Sequence, residues 1–317
     1  MIKYSLLLSY AGTNYCGWQR QKDEPTEGLG LKGESKLKRS GDSAQKHSIQ
    51  ATLEAALLKM TGESVRVVGS GRTDSGVHAA GQVAHFILKE PSSRWNEEII
   101  CRGLNGLLPM SIRILRVESV PLPFHAQKSA LKKQYSYYFQ QGPCPLPHLE
   151  PYSWWIRKKL DLHALRTALK FLEGEHDFKP FQASGAKPGP TVRKILETEV
   201  RFDPIGFPEV PVFEDEVREG VSGVSPLGLV RVRIVGTGFL KQMVRGIAGT
   251  LLQIGEGRRP AEDMRRIIET QDRQEVGPTA PARALWLEQV WYPHVPEIPK
   301  RIEMEGLFDL AGERAEE

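Results

Sequence analysis

The order of apolar and polar positions divides the chain into short strands and amphipathic helices. IKYSLLLSY, starting at Ile2, reads as a first strand. Ser48 opens a helix in which Ile49, Leu53, Ala56, Leu57 and Met60 recur at helical spacing. Short strands are expected at Val65–Val68 and Gln82–Leu88, then a helix carrying Ile99, Ile100 and Leu104, then a strand at Ile112–Val117. QYSYYFQ begins the second half as a strand. Leu162, Leu165, Leu169 and Leu172 share one face of the next helix, and strands are expected at Val192–Phe202 and Leu229–Val235. A long helix from Phe239 to Ile254 has Met243, Val244, Ile247, Leu251 and Leu252 on its apolar side. A short helix and a last strand, ALWLEQVWY, close the core.

Both halves thus run strand–helix–strand–strand–helix–strand. This predicts an α+β fold of two similar lobes, residues 1–128 and 129–298, with sheet packed under helices. Two stretches break the rhythm. Residues 22–46 mix both charge signs with Gly and Ser and lack apolar periodicity, so they read as a mobile inserted loop whose KLKRS run could touch a polyanion. Residues 204–228 are rich in Pro and Gly and acidic, a second insertion expected to sit away from any polyanion. Residues 299–317 form a polar tail.

Composition narrows the function classes. A chain of 317 residues with 40% hydrophobic and 26% charged content reads as a soluble globular protein of one large or two ordinary domains. No apolar run reaches the ~20 residues of a membrane span, and MIKYSLLLSYAG reads as a strand rather than a leader. Cys16, Cys101 and Cys144 are scattered without CxxC or histidine partners, which argues against a disulfide framework or structural zinc and fits a reducing cytoplasm. The net charge of +4 permits a nucleic-acid partner without requiring one.

The candidate chemistry lies in GSGRTDSGVHAAGQVAHF, Gly69 to Phe86. Asp74 is its one carboxylate, set among small residues with Arg72 two positions before it. Asp74 stands where a dinucleotide fingerprint needs its third glycine; there is no Walker phosphate loop and no GxSxG elbow. Asp74, His78 and His85 could be drawn as a metal set. With His78 in an expected turn and His85 in a strand, no helical pair supports that. Thr-Asp-Ser-Gly is good turn chemistry, and by itself it equally describes an exposed, inert turn aspartate. The small neighbours point further: they let another chain or a planar ligand approach the backbone, and a nearby cation favours an ionised acid.

GRTDSGVHAAGQVAHF closely resembles the catalytic motif of the tRNA pseudouridine synthase A family. So do SYAGTNYCGWQRQ, SIQATLEAALLKMTGE, LNGLLPMSIRILRVESVPLPFHAQKSA, QYSYYF, FLEGEHDFKPF, GFLKQMVRGIAGTLLQIGEG and VGPTAPARALWLEQV, in the same order. The resemblance spans nearly the whole chain outside the insertions and tail. It implies the pseudouridine synthase fold, two lobes of mainly antiparallel sheet flanked by helices with the active cleft between them. It also implies isomerisation of uridine in the anticodon arm of tRNA by a homodimer, without redox cofactor, nucleotide or metal.

The same resemblance assigns residues. Asp74 matches the essential aspartate, acting on C6 of the base or on the ribose. Tyr135 matches a tyrosine that stacks on the everted uracil and assists proton removal from C5. Spacing alone does not choose between Tyr135 and Tyr137, which share a strand face. Arg245 matches an arginine paired with the catalytic acid, Arg72 one that holds the flipped nucleotide's phosphate or its vacated place, and Leu285 a leucine lining the uracil pocket. Phe124, His125, Ala126, Gln127 and Lys128, with Gly185, Ala186, Lys187, Pro188, Gly189, Arg193 and Lys194, fall in segments that touch the tRNA. Several positions depart from the family pattern, among them Gln127 for a cation, Pro188-Gly189 for a Ser-Arg pair and Arg283-Ala284 for a His-Gly pair, while the residues assigned to the chemistry are intact. A non-catalytic RNA-binding protein on the same scaffold is the main competing reading. A glycoside hydrolase is the third, but it usually needs two opposed acids, and only Asp74 stands out.

Overall fold

The computed structural model describes residues 1–21, 24, 31–32, 46–89, 95–186, 188–205 and 227–293. Most of both insertions, the 299–317 tail and Lys187 lie outside the described residues. The first half runs β1 (Ile2–Tyr10), α1 (Ile49–Thr61), β2 (Val68–Gly69), β3 (His78–Leu88), α2 (Glu97–Leu107) and β4 (Ile112–Val120). The second runs β5 (Lys132–Gln141), β6 (Trp154–Ile156), α3 (Leu162–Lys170), β7 (Gly174–Asp177), β8 (Val192–Pro204), β9 (Gly228–Gly236), α4 (Met243–Gly255), α5 (Asp263–Thr270) and β10 (Leu285–Trp291).

The helices begin where their sequences supply caps. The Ser48 hydroxyl accepts from Ala51 N at 3.1 Å, Asn96 accepts from Ile99 N, and Asp161 from His163 N and Ala164 N. Gly62 ends α1 with φ of 78°, a conformation that favours glycine. Glu24, from within the first insertion, accepts from the Ser48 hydroxyl at 2.8 Å and so adds its charge at the start of α1.

All the strands join one sheet, and each half repeats one topology within it. The first half has the order β4-β1-β3-β2 and the second β10-β5-β9-β8, every neighbour antiparallel. The halves meet where β10 runs parallel to β3, pairing Trp286 with His78 and Leu287 with Ala79. β2 pairs the same edge of β3 further along, through Ala84 and His85. The sheet therefore forks at β3, and residues 70–77 fill the fork.

Alternation decides which side of each strand is buried in the core. Tyr4, Leu6 and Leu8 of β1, Tyr137 and Phe139 of β5, and Val230, Val232 and Ile234 of β9 join one apolar cluster with Leu53 and Leu57 of α1 and Ile247 and Leu251 of α4. Each such side chain stabilises the fold by roughly 1.5–3 kcal/mol.

Several boundaries differ from the sequence expectation. β3 begins at His78, not Gln82, because β10 supplies a partner from the far end of the chain. The strand expected over Val65–Val68 shrinks to Val68–Gly69, since only those residues find a ladder. α4 starts at Met243 because Gln242 takes a left-handed conformation, φ 60°, immediately before it. α3 stops at Lys170, yet Leu172 stays fully buried in the turn that follows.

Candidate active site

The loop filling the fork is held at almost every residue. Ser70 N donates to Val83 O at 2.7 Å, and its hydroxyl donates to Gln82 Oε1 at 2.6 Å. Gln82, fully buried in β3, returns its amide to Gly71 O at 3.0 Å. Lys133 of β5 donates from Nζ to Ser70 O at 2.6 Å, and burial lowers its ammonium pKa to about 8. Tyr10 bonds the Thr73 hydroxyl at 2.8 Å, Trp18 N donates to Thr73 O, and the Ser75 hydroxyl donates to Tyr15 O. Val77 N closes the turn on Asp74 O, with Gly76 at φ 81°. A β-carbon on Gly12 would stand 2.0 Å from Val77 O, so the segment after β1 presses directly on the loop backbone. Nothing in the sequence marks Gln82 or Lys133, whose partners lie in other segments of the chain.

This clamping presents Asp74 with 24% of its side chain exposed, its Oδ2 3.6 Å from Nη1 of Arg245. Asp74 comes from the first half and Arg245 from the first turn of α4 in the second, so the ion pair bridges the seam. Arg245 is itself fixed: Nε donates to Ala280 O at 2.7 Å, and Ala280 N donates to Arg245 O. That exchange depends on a close approach, because a β-carbon on Gly249 would lie 1.7 Å from Pro278 O. Gly249→Ala is therefore expected to destabilise the fold by about 1–3 kcal/mol and to lower turnover beyond that by displacing Ala280 from Arg245. Urea unfolding and rate measurements on the same sample check this.

Tyr135 and Tyr137 lie on one strand face, and the structure separates them. The Tyr137 hydroxyl donates to Pro281 O at 3.0 Å and holds the 276–284 loop. Tyr135 stacks edge-on against Phe239, with ring centroids 4.9 Å apart. Burial, then the nearby Tyr10 and the Asp74 charge, push the Tyr135 phenol well above its ordinary pKa, so it rests neutral. Leu285, buried opposite Tyr137 in the register, opens β10 on the same side.

Two loops flank this centre. In the first, Phe124 and Ala126 are buried, and His125 Nδ1 accepts from Gln127 N and Lys128 N at 3.2 Å; Gln127 and Lys128 point outward. In the second, Ala183 N donates to Lys241 O just before α4, Gly185 turns at φ 69°, Ala186 is half-buried, and Pro188 and Gly189 are exposed. Arg193 donates to Pro190 O and Val192 O, while Lys194 is exposed. Arg72 is exposed and shares a cavity with Gln127. Among the described residues no three His, Cys, Asp or Glu side chains converge as a metal site requires.

Two buried histidines give the region an acid limit. His78 Nδ1 accepts from Gly12 N, and His85 Nδ1 accepts from Ala126 N, both at 3.1 Å. Burial lowers each to a pKa of about 4 from 6.5, with His125 and Lys3 adding to the shift at His85. The unfolded chain thus takes up these protons first. Stability present above pH 6.5 is lost as pH falls towards 4. The urea midpoint is expected to drop over that interval, and less steeply in His85→Asn.

A family model described as tRNA pseudouridine synthase matches residues 30–127 and 168–293. Similar curated proteins carry the name tRNA pseudouridine synthase A. One from Lacticaseibacillus casei is 37% identical, covering 92% of this chain and 100% of its own. One from Allorhizobium ampelinum is 36% identical over 92% and 96%, and one from Bdellovibrio bacteriovorus 34% identical over 92% and 95%.

Proposed function

Because the chain belongs to the tRNA pseudouridine synthase family and is an isomerase acting on tRNA, we propose that Asp74 converts uridine to pseudouridine in the anticodon stem-loop. The observation that carries this reading is the Asp74–Arg245 pair, set across the seam of the two halves beside Tyr135.

The reaction is a rearrangement. The bond from N1 to C1′ breaks, a bond from C5 to C1′ forms, C5 loses a proton and N1 gains one. No electrons leave, so one well-placed nucleophile and a proton acceptor suffice. The base must leave its stack to reach a partly buried carboxylate. Arg245, 3.6 Å away, aims the Asp74 carboxylate. A single carboxylate suits attack at C6 of the base or at C1′ of the ribose.

Tyr135 supplies a flat face for the uracil and, later, a route for the C5 proton. Burial chiefly, then the nearby Tyr10 and the Asp74 charge, keep that phenol from ionising at rest. Leu285 walls the pocket. Arg72, Gln127 and Lys128, with residues 185–189, Arg193 and Lys194, hold the RNA chiefly through its phosphates. Phe124, His125 and Ala126 shape the loop that presents Gln127 and Lys128. Lobes at 1–128 and 129–298, a homodimer spanned by one tRNA, and a cytoplasmic setting belong to the same reading.

Unmodified tRNA transcripts incubated with the protein, then mapped by carbodiimide adducts that stop reverse transcription, test the target. Stops confined to the anticodon stem-loop are expected; stops confined to another arm contradict the assignment.

A further inference from the structure

Beside the catalytic loop lies a cavity of about 100 Å³ lined by Trp18, Gln19, Gln50, Arg66, Arg72 and Gln127, among others. It opens into a larger depression of about 590 Å³ that shares Gln19, Gln50 and Arg66 and continues to Arg20. Together they form a trough from Arg72, two residues from Asp74, along the start of α1.

Its chemistry is one-sided. Among the described residues the only carboxylate on its walls is Glu54, and that group is already engaged by Arg20, the Gln50 amide and Val67 N. Arg66 and Arg72 are exposed, and among the described residues neither has a carboxylate within ion-pairing distance. The rest of the wall is the Trp18 indole, the amides of Gln19, Gln21, Gln50 and Gln127, glycine backbone, Arg20, Ser64, Val65, Val67 and Val68. Trp18 lies flat against Gly69, where a β-carbon would meet its ring at 2.5 Å, so the wall there is smooth and close to the backbone. Two exposed guanidinium groups along this channel, with no ion-pair partner among the described residues, match a run of phosphates.

We propose that this trough is the track for the sugar–phosphate backbone of the RNA strand that leads away from the everted uridine, with Arg66 and Arg72 each holding a phosphate. This rests on the synthase reading and adds to it. It explains how one strand is gripped next to the reacting nucleotide. Trp18, Gln19 and Gln50 set the channel floor.

Arg66 tests the proposal, since it touches neither Asp74 nor the core. Arg66→Ala is expected to weaken tRNA binding by about tenfold at moderate salt and to lower the slope of log affinity against log salt by about 1. Arg66→Glu weakens binding further, and Arg66→Lys restores most of it. The maximal rate of tritium release from C5-labelled tRNA stays within about twofold in all three. Arg102→Ala, removing an exposed arginine of α2 paired with Glu98, leaves binding and slope unchanged. Unchanged affinity and slope in both Arg66→Ala and Arg66→Glu overturn the track, as does failure of the native protein to bind tRNA. Native protein that binds tRNA with the Arg66 dependence but releases no tritium leaves the track in place and removes the synthase reading.

Discussion

Asp74→Ala is expected to lower the single-turnover rate on tRNA by at least about 10⁴-fold while leaving tRNA binding intact or slightly tighter. The loop that carries Asp74 is fixed through Ser70, Gly71, Thr73 and Ser75, by bonds to Gln82, Lys133, Tyr10, Trp18 and Tyr15. None of those bonds uses the Asp74 side chain, so its removal leaves the frame standing. The carboxylate is 24% exposed and its ion pair with Arg245 is 3.6 Å long. Loss of a pair so placed changes stability by no more than about 1 kcal/mol. A deep loss of rate with an unchanged melting curve is the signature of a reacting group. Binding should not suffer, because the mutation removes a negative charge facing a polyanion.

The second large effect is expected at Arg245. Arg245→Met should reduce the rate by about 10²–10³-fold. The methionine keeps most of the apolar stem but loses both the cation at Asp74 and the Nε bond to Ala280 O. Arg245→Lys restores charge without the fork that serves two partners at once, so it should recover only part of the loss. If the two residues act as a unit, Arg245→Met adds little to Asp74→Ala, and the double variant is about as slow as Asp74→Ala alone. Additive losses would show that Arg245 acts elsewhere.

Local features were the most legible in the sequence. The stripe of α1 and its Ser48 cap, the turn chemistry at Asp74, and the apolar faces of α3 and α4 all depend on neighbours within a turn or two. The fork in the sheet does not. His78 becomes the first residue of β3 only because β10 arrives from the end of the chain. Val65–Val67 stay outside any strand because no strand among the described residues pairs with them. The site shows the same division. Asp74 and its small neighbours stand out locally, but Arg245 is brought opposite through α4 and the 276–284 loop, and only the resemblance named it beforehand. The choice between Tyr135 and Tyr137 was open on spacing. In the fold the two differ, with the Tyr137 hydroxyl bound to Pro281 O and Tyr135 packed against Phe239. Lys133 and Gln82 escaped notice because a polar residue in a strand declares its partner only when the fold is present.

The most direct measurement is tritium release from tRNA labelled at C5 of uridine, with the native protein and Asp74→Ala side by side and tRNA binding measured for both. Release by the native protein alone, with both proteins binding, is the predicted result. Binding by both with release by neither, or equal release by both, would contradict the account and leave an RNA-binding scaffold or a different reacting group in its place.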